Sequence, residues 1–334
     1  MPADAVYLHH EKGETNQVPP RSEATRNKLD DAARAGWLYY VAGNTQDEIA
    51  LKLGVSRQSA QRLVSLAISE KLIKVRLDHP IADCLELSAR LKERFGLRLV
   101  EIVPSDPGHP DTTLGVADAA ALEIEKILSG SSPVILGVGT GRTLKAAVDL
   151  LPAMDCPQHK IVSLTGNIAP DGSAAFYNVI FSIADKVKAP SFPMPLPVIA
   201  ATARDRQLLH SQVGIEKNLA LAAQASVSFV GVGDLGPNAP LYEDGFVTRA
   251  ELKALQKAGA VGEMLGWVFD AGGELVAGMT NERVASAPLP SGERALVIAA
   301  ARGPNKVAAI RAAVARGLVN GLITDEDTAA QLLA

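Results

Sequence analysis

Residues 45–64 are TQDEIALKLGVSRQSAQRLV, and this stretch has the organisation of two short helices joined by a tight turn. Thr45 and Glu48 have the spacing of a capping box, in which each side chain satisfies a free backbone amide at a helix start. Gly54 suits the turn that ends this first helix, and Ser56 suits the cap of the next one. The stretch therefore predicts a helix-turn-helix.

The second helix of this pair combines an ordinary apolar face with a polar first half. Its apolar residues recur at the spacing of one buried stripe, namely Ala60, Leu63, Val64, Ala67 and Ile68. Between Val55 and Arg76, the sequence has the single acid Glu70 against five basic residues, namely Arg57, Arg62, Lys71, Lys74 and Arg76. This local excess of positive charge favours a nucleic-acid partner.

The polar first half of the helix is the predicted DNA-reading surface, since its side chains can donate to base edges or phosphates. The predicted DNA contacts are Thr45, Ser56, Arg57, Gln58, Ser59, Gln61 and Arg62. The alternative is a solvated or protein-docking helix face.

The composition limits the class of protein. With 47% hydrophobic residues, the 334-residue chain can bury a sizeable core, which excludes disorder throughout. The formal net charge of −4 means that nucleic-acid binding must come from a local patch. We expect a cytoplasmic protein without a membrane partner, because we find neither a membrane-length apolar run nor a signal peptide. Cys84 and Cys156 lack metal or redox spacing, so we expect free thiols, no metal and no cofactor.

The pattern along the chain predicts four segments. These are a flexible tail at 1–24, a helix-turn-helix domain at 25–78, a linker helix at 79–96 and an effector domain at 97–334. In the last segment short apolar runs alternate with helical patterns, which predicts an α/β fold with a mainly parallel sheet. The predicted strands are Leu99–Val103, Pro133–Val138, Lys160–Leu164, Val198–Thr202, Val227–Val232, Leu296–Ala300 and Leu318–Ile323.

The loops that follow these strands are the predicted effector site, because ligands of open α/β sheets bind outside the carboxyl ends of the strands. The first loop is Gly139-Thr140-Gly141-Arg142-Thr143, between a strand and a helix. Glycines let backbone amides approach a ligand, hydroxyls add donors, and the helix N-terminus is partially positive, so the loop suits a phosphate. A plain strand-to-helix turn is the alternative.

Three further loops add polar groups to this predicted site. Gly166 and Asn167 follow one strand, and Asp234 follows another, where its carboxylate can accept from sugar hydroxyls or cap a turn. Lys306 stands at a helix start, against the helix dipole, which favours a nearby anion over a merely exposed lysine. Glu263 is a weaker candidate near glycines that permit close approach.

Taken together, five segments of this sequence resemble the SorC group of DeoR-type bacterial transcriptional regulators. They are TQDEIALKLGVSRQSAQRLV, GVGTGRT, GVGD, GAVGEMLGWVFD and KVAAIRAAVARGLVNGLITDEDTAAQLL, and the resemblance extends over residues 25–334. It implies an N-terminal helix-turn-helix and an effector domain similar to sugar-phosphate isomerases. It also implies that residues 139–143 and Lys306 hold the phosphate of the ligand, and that Asp234 is the matching carboxylate.

The resulting prediction is a regulator of a carbohydrate or polyol catabolic operon rather than an enzyme. A homo-oligomer, dimer or tetramer, would bind operator DNA, and a phosphorylated sugar or polyol would modulate that binding. The alternative is a sugar-phosphate isomerase or lactonase with an accessory helix-turn-helix. That alternative would need a general base such as Asp234 or Glu263, but no histidine falls in these loops.

Overall fold

The structure, a computed structural model, describes residues 23–70, 72–73, 81–169, 171–174 and 177–334. The chain divides into two compact units, residues 1–79 and 80–334. Of the predicted tail, all but the last two residues lie outside the described residues, and those two begin the first helix. Three basic residues of the predicted patch also lie outside them, namely Lys71, Lys74 and Arg76.

The described part of the first unit holds three helices, α1 (Glu23–Tyr40), α2 (Gln46–Leu53) and α3 (Arg57–Ser69). A Cβ on Gly36 of α1 would lie 2.8 Å from Ala67 Cβ, so α1 and α3 pack at very close approach. The predicted stripe is wrong at one position, because Ile68 is 43% exposed. The core of this unit contains Ala35, Ile49, Ala60 and Val64.

Within its described residues the second unit has ten strands. They are β1 (Leu99–Val103), β2 (Ile135–Val138), β3 (Lys160–Ser163), β4 (Ser191–Phe192), β5 (Val227–Val230), β6 (Gly233–Asp234), β7 (Ala260–Met264), β8 (Trp267–Asp270), β9 (Leu296–Ala300) and β10 (Gly321–Asp325). Seven of them form a parallel sheet in the order β1-β10-β9-β5-β2-β3-β4. The prediction of a mainly parallel α/β sheet is confirmed.

The described residues of the second unit also form ten α-helices. They are α4 (Ala82–Phe95), α5 (Leu114–Leu128), α6 (Arg142–Leu150), α7 (Val179–Val187), α8 (Ala203–His210), α9 (Val213–Ala222), α10 (Pro240–Glu243), α11 (Arg249–Lys257), α12 (Val307–Arg316) and α13 (Glu326–Leu333). The predicted linker helix corresponds to α4, whose Ser88 Oγ donates to Val100 O at 2.9 Å and whose Leu91 is fully buried. Helix α4 is therefore part of the core of the second unit. Among the described residues, no helix has the length and apolar character needed to cross a bilayer.

Two features of the sheets differ from the predicted strands. The predicted strand Val198–Thr202 is wrong: this segment contains only an isolated bridge between Ile199 and Val284, and the edge position is taken by β4. Short runs of this kind do not distinguish a strand from an extended loop. The second feature is a small antiparallel sheet, β6-β7-β8, which the sequence analysis missed.

Strands β2 and β5 are neighbours at the centre of the parallel sheet, and their connections leave in opposite directions. The next strand of this sheet after β2 is β3, on one side, and the next after β5 is β9, on the other. A crevice forms at the carboxyl ends of two strands with this relationship. The loops after β2 and β5 therefore meet at the point where the fold favours a ligand.

Candidate functional site

A cavity of about 340 Å³ lies at the carboxyl ends of β2 and β5. It brings together predicted effector residues from four separate segments, namely Thr140, Gly141, Arg142, Thr143, Asp234, Glu263 and Lys306. Its volume is near the lower end of the range of about 300–1,000 Å³ that is usual for small-molecule pockets. The cavity therefore suits a compound of monosaccharide size.

The glycine loop after β2 presents the start of α6 to this cavity. Gly141 has φ +124° and precedes α6 without a side-chain cap, so the first amides of that helix are not capped by a side chain. Thr140 Oγ1 donates to Tyr177 O at 2.5 Å, and Arg142 Nε donates to Tyr177 Oη at 3.0 Å. The bond to Tyr177 raises the pKa of Arg142 further. A helix N-terminus and a fixed guanidinium together suit an anion.

Negatively charged groups also line the cavity, namely the carboxyl groups of Asp234 and Glu263. Asp234 Oδ2 accepts from Gly236 N at 2.9 Å, so the predicted turn cap is present, and its second oxygen is left for other donors. Glu263 Oε2 accepts from Gly266 N at 2.9 Å. Burial raises the pKa of Glu263, the carboxylates of Asp244 and Asp234 add to that rise, and the Gly266 amide and Lys306 oppose it.

Lys306 is the second cation among the described residues that line the cavity. It is half-buried and immediately precedes α12. Burial lowers the pKa of its ammonium group, with further lowering by Arg142 and Arg302, while Glu263 and Asp234 oppose the shift. A desolvated ammonium group at a helix start is stabilised by an anionic ligand.

Three predicted effector residues are not among the residues that line the cavity. Gly139 lies against Leu265, since a Cβ on it would approach Leu265 Cδ2 to 3.0 Å. Gly166 packs directly on the backbone of residues 196 and 197. Asn167 is buried, and its Oδ1 accepts from Met194 N at 2.7 Å. The structure thus gives all three a packing or hydrogen-bonding role behind the cavity wall.

The lining residues that were not predicted from the sequence include Thr165, Tyr177, Asp244 and Leu265. Thr165 immediately precedes the predicted pair at 166–167; it is only 2% exposed, and its Oγ1 has no hydrogen-bond partner among the described residues. Leu265 adopts φ +57° at the tip of the β7–β8 hairpin, an unusual conformation for a branched residue. Asp244 follows α10, and burial raises the pKa of its carboxyl.

The predicted DNA contacts lie at the starts of α2 and α3. Thr45 and Glu48 form the predicted capping box, in which Thr45 Oγ1 accepts from Glu48 N at 3.3 Å. Ser56 Oγ accepts from Ser59 N at 3.1 Å and caps α3.

The longer polar side chains on α3 point outward. Gln58, Gln61 and Arg62 are exposed on the helix face opposite its buried stripe. Arg57 is exposed too, and its Nε lies 3.5 Å from Asp47 Oδ1, within the range of an ion pair. A surface pair of this kind contributes little to stability, so Arg57 can exchange Asp47 for a phosphate.

Comparison with known protein families shows where the chain belongs. A family model described as "Putative sugar-binding domain" matches residues 79–334. The erythritol catabolism regulatory protein EryD of Brucella abortus is 36% identical over 304 residues, which cover 90% of this chain and 96% of EryD. The chain belongs to the SorC family of transcriptional regulators.

Two further comparisons agree with this membership in the SorC family. The transcriptional regulator LsrR of Escherichia coli O139:H28 is 30% identical over 325 residues, which cover 93% of this chain and 97% of LsrR. The full-length sorbitol operon regulator SorC of Klebsiella pneumoniae superposes with a TM-score of 0.67 at 22% identity, over 92% of this chain and all of that one. The solved structure supports the fold, and the similar sequences support the regulator class.

Membership in the SorC family decides between the two functional classes left open by the sequence. The relatives are transcriptional regulators, and this SorC-family chain is a sugar-binding transcriptional regulator rather than an isomerase or lactonase. Its described residues contain no group of three or more His, Cys, Asp or Glu side chains that are placed to hold a metal ion together.

Proposed function

We propose that this regulator controls a carbohydrate or polyol catabolic operon, and that a phosphorylated sugar or polyol bound in the cavity changes its affinity for operator DNA. Thr45 and the polar first half of α3 would contact the DNA. Thr140, Gly141, Arg142, Thr143 and Lys306 would hold the phosphate. The ligand hydroxyls would donate to Asp234 and Glu263.

The observation that carries this proposal is that cations and carboxyl groups line one cavity. Arg142, Lys306 and the start of α6 supply positive charge, and carboxyl groups on other segments supply acceptors. A phosphate carries about −1.5 to −2 charges near neutral pH and matches the first set. Hydroxyls match the second set, because an ionised carboxylate only accepts hydrogen bonds. The similarity to EryD supports four-carbon polyols as the first compounds to test.

Regulation requires the effector to prefer one arrangement of the protein, since equal affinity for both shifts nothing. A change of about 5–150-fold in operator affinity corresponds to about 1–3 kcal/mol of coupling. We further propose that the chain acts in the cytoplasm as a homo-oligomer, a dimer or a tetramer, on a two-part operator. Each protomer would then contribute one α3 to the DNA contact.

The test is a thermal-shift screen of the full chain with matched pairs of compounds. Each pair contains one polyol or sugar and its phosphate ester: erythritol, ribitol, glucitol and ribose, with inorganic phosphate as a further control. A phosphate ester that binds the folded protein should raise the melting temperature in a concentration-dependent way, and its parent compound should not. A shift with the parent compounds alone would contradict the phosphate assignment.

The second arm tests the regulator itself. DNA fragments bound by the full chain are selected from a random pool, and their affinity is measured with and without the ester identified by the screen. An unchanged affinity at saturating ester would contradict the proposed coupling.

A further inference from the structure

Three carboxyl groups from separate segments line the same cavity, and only two of them were predicted from the sequence. Asp234 ends β6, Glu263 lies in β7, and Asp244 follows α10. The third carboxyl changes the balance of charge. Among the described lining residues, three acids now face two basic side chains, Arg142 and Lys306.

The hydrogen bonds of these acids leave acceptor positions for a ligand. One oxygen of Asp234 accepts from Gly236 N and one oxygen of Glu263 accepts from Gly266 N. Asp244 is half-buried, and Arg142 is the cation whose attraction opposes the rise in its pKa. The remaining carboxyl oxygens can accept from further donors, and in a sugar-like ligand these donors are hydroxyl groups.

The two cations are already matched by one phosphate. A phosphate ester of about −1.5 to −2 charges balances Arg142 and Lys306. A second anionic group on the same ligand would have no further cationic side chain among the described lining residues, and it would face the three acids. Like charges brought together in a binding site are strongly unfavourable, and such repulsion is a common source of specificity.

We propose that Asp234, Asp244 and Glu263 form an anion-excluding face, which admits phosphorylated compounds with an uncharged, hydroxyl-rich carbon chain and rejects the phosphorylated aldonates of the same chain. This inference rests on the proposed function and narrows its effector class. It assigns Asp244 a role in specificity.

The test uses pairs of phosphate esters that share one carbon skeleton and differ only at the terminal carbon, which is a primary alcohol or a carboxylate. The pairs are erythritol 4-phosphate with 4-phosphoerythronate, ribitol 5-phosphate with 5-phosphoribonate, and glucitol 6-phosphate with 6-phosphogluconate. Dissociation constants are measured by calorimetry on the full chain at pH 8, which favours the ionised carboxylates. In each pair whose alcohol binds, the aldonate should bind at least about tenfold more weakly, as expected for uncompensated like charges.

The variant Asp244→Asn should lower the ratio of the dissociation constant of the aldonate phosphate to that of the matching alcohol phosphate. Because both members carry the phosphate, any effect of this variant on Arg142 cancels in the ratio. The matched control is Glu243→Gln, since Glu243 is the exposed neighbouring acid and is not among the lining residues. The control should leave the ratio unchanged. Thermal melting confirms that both variants are folded.

The possible outcomes separate this inference from the proposed function. Equal or tighter binding of the aldonates overturns the anion-excluding face and leaves the phosphate site standing. An unchanged ratio in Asp244→Asn, or an equal fall in Glu243→Gln, removes the role of Asp244. Absence of binding by every phosphate ester to folded protein contradicts the proposed function, and the present inference fails with it.

Discussion

Gly233 and Glu263 are direct partners across the antiparallel pair of β6 and β7, and the side chain of Glu263 lies against the backbone of Gly233. A Cβ on Gly233 would lie 3.0 Å from Glu263 Cδ and 3.1 Å from Glu263 Cγ, and even closer to its Oε1. Gly233, the first residue of β6, thus has a steric function, because the absence of a side chain leaves space for the carboxyl group of Glu263 in the cavity.

We predict that Gly233→Ala displaces Glu263 and weakens effector binding. Overpacking of this kind typically costs about 1–3 kcal/mol of stability. Gly214→Ala is the control, since nothing lies within 4 Å of its added Cβ, and it should be neutral or stabilising. Unfolding in urea and effector titration are measured for both variants. Unchanged effector affinity in folded Gly233→Ala would show that the position of Glu263 does not matter for the ligand.

Operator binding should depend on the exposed arginines at the start of α3. Arg57→Ala and Arg62→Ala should leave the protein folded, because both side chains are exposed and neither residue belongs to the buried core of α3. Loss of a base contact should weaken operator binding by about 1–3 kcal/mol. Loss of a phosphate contact should instead reduce, by about one, the slope of the logarithm of the binding constant against the logarithm of salt concentration. Binding is measured at several salt concentrations, with the exposed Arg90→Ala on α4 as the charge control. Wild-type affinity in both variants would remove α3 as the reading helix.

Lys306→Gln should weaken effector binding by about 1.5–3 kcal/mol, the range for hydrogen bonds to charged groups. Operator affinity without effector should stay close to that of the wild type. Because the effector and the operator influence each other's binding reciprocally, the variant should then need a higher effector concentration to change operator binding. The control Lys253→Gln removes an exposed lysine of α11. Loss of operator affinity in the absence of effector would instead assign Lys306 a structural role.

Thr165→Val should separate ligand binding from stability. The Oγ1 of Thr165 is buried without a partner in the part of the chain that the structure describes, and such a group typically costs about 1–3 kcal/mol. Valine keeps the shape and removes the hydroxyl, so the free protein should become more stable while effector binding weakens. Thr165→Ser retains the hydroxyl and should retain more of the effector affinity. Equal effector affinities for the Val and Ser variants would exclude Thr165 as a ligand contact.

Glu263 should make stability depend on pH. Its pKa is raised in the folded protein. The native state therefore binds more protons than the unfolded state between the ordinary and the raised pKa, and stability falls as pH rises through that window. Glu263→Gln keeps an acceptor for Gly266 N and abolishes this titration, so its stability relative to the wild type should increase as the pH rises through that window. Urea unfolding at several pH values measures the difference. If the free energies of unfolding of Glu263→Gln and the wild type differ by the same amount at every pH, the raised pKa of Glu263 is contradicted.

Local interactions account for the parts of this protein that its sequence determined. The capping box of Thr45 and Glu48, the turn at Gly54 and the strand-loop-helix at 139–143 each depend on residues a few positions apart. Their spacing is therefore readable without the fold. Regular apolar runs likewise predicted most strands of the parallel sheet, because parallel strands are buried on both faces.

Long-range packing decided which further residues line the cavity, and these could not be predicted from the sequence. Thr165, Tyr177 and Asp244 come from three different segments of the sequence, and the tertiary fold places them around the cavity that begins at the loop after β2. For the same reason the sequence favoured Gly166, whose lack of a side chain permits close packing on residues 196 and 197, over its neighbour Thr165. A glycine signals close approach but does not identify what approaches it, and that partner is set by the tertiary structure alone.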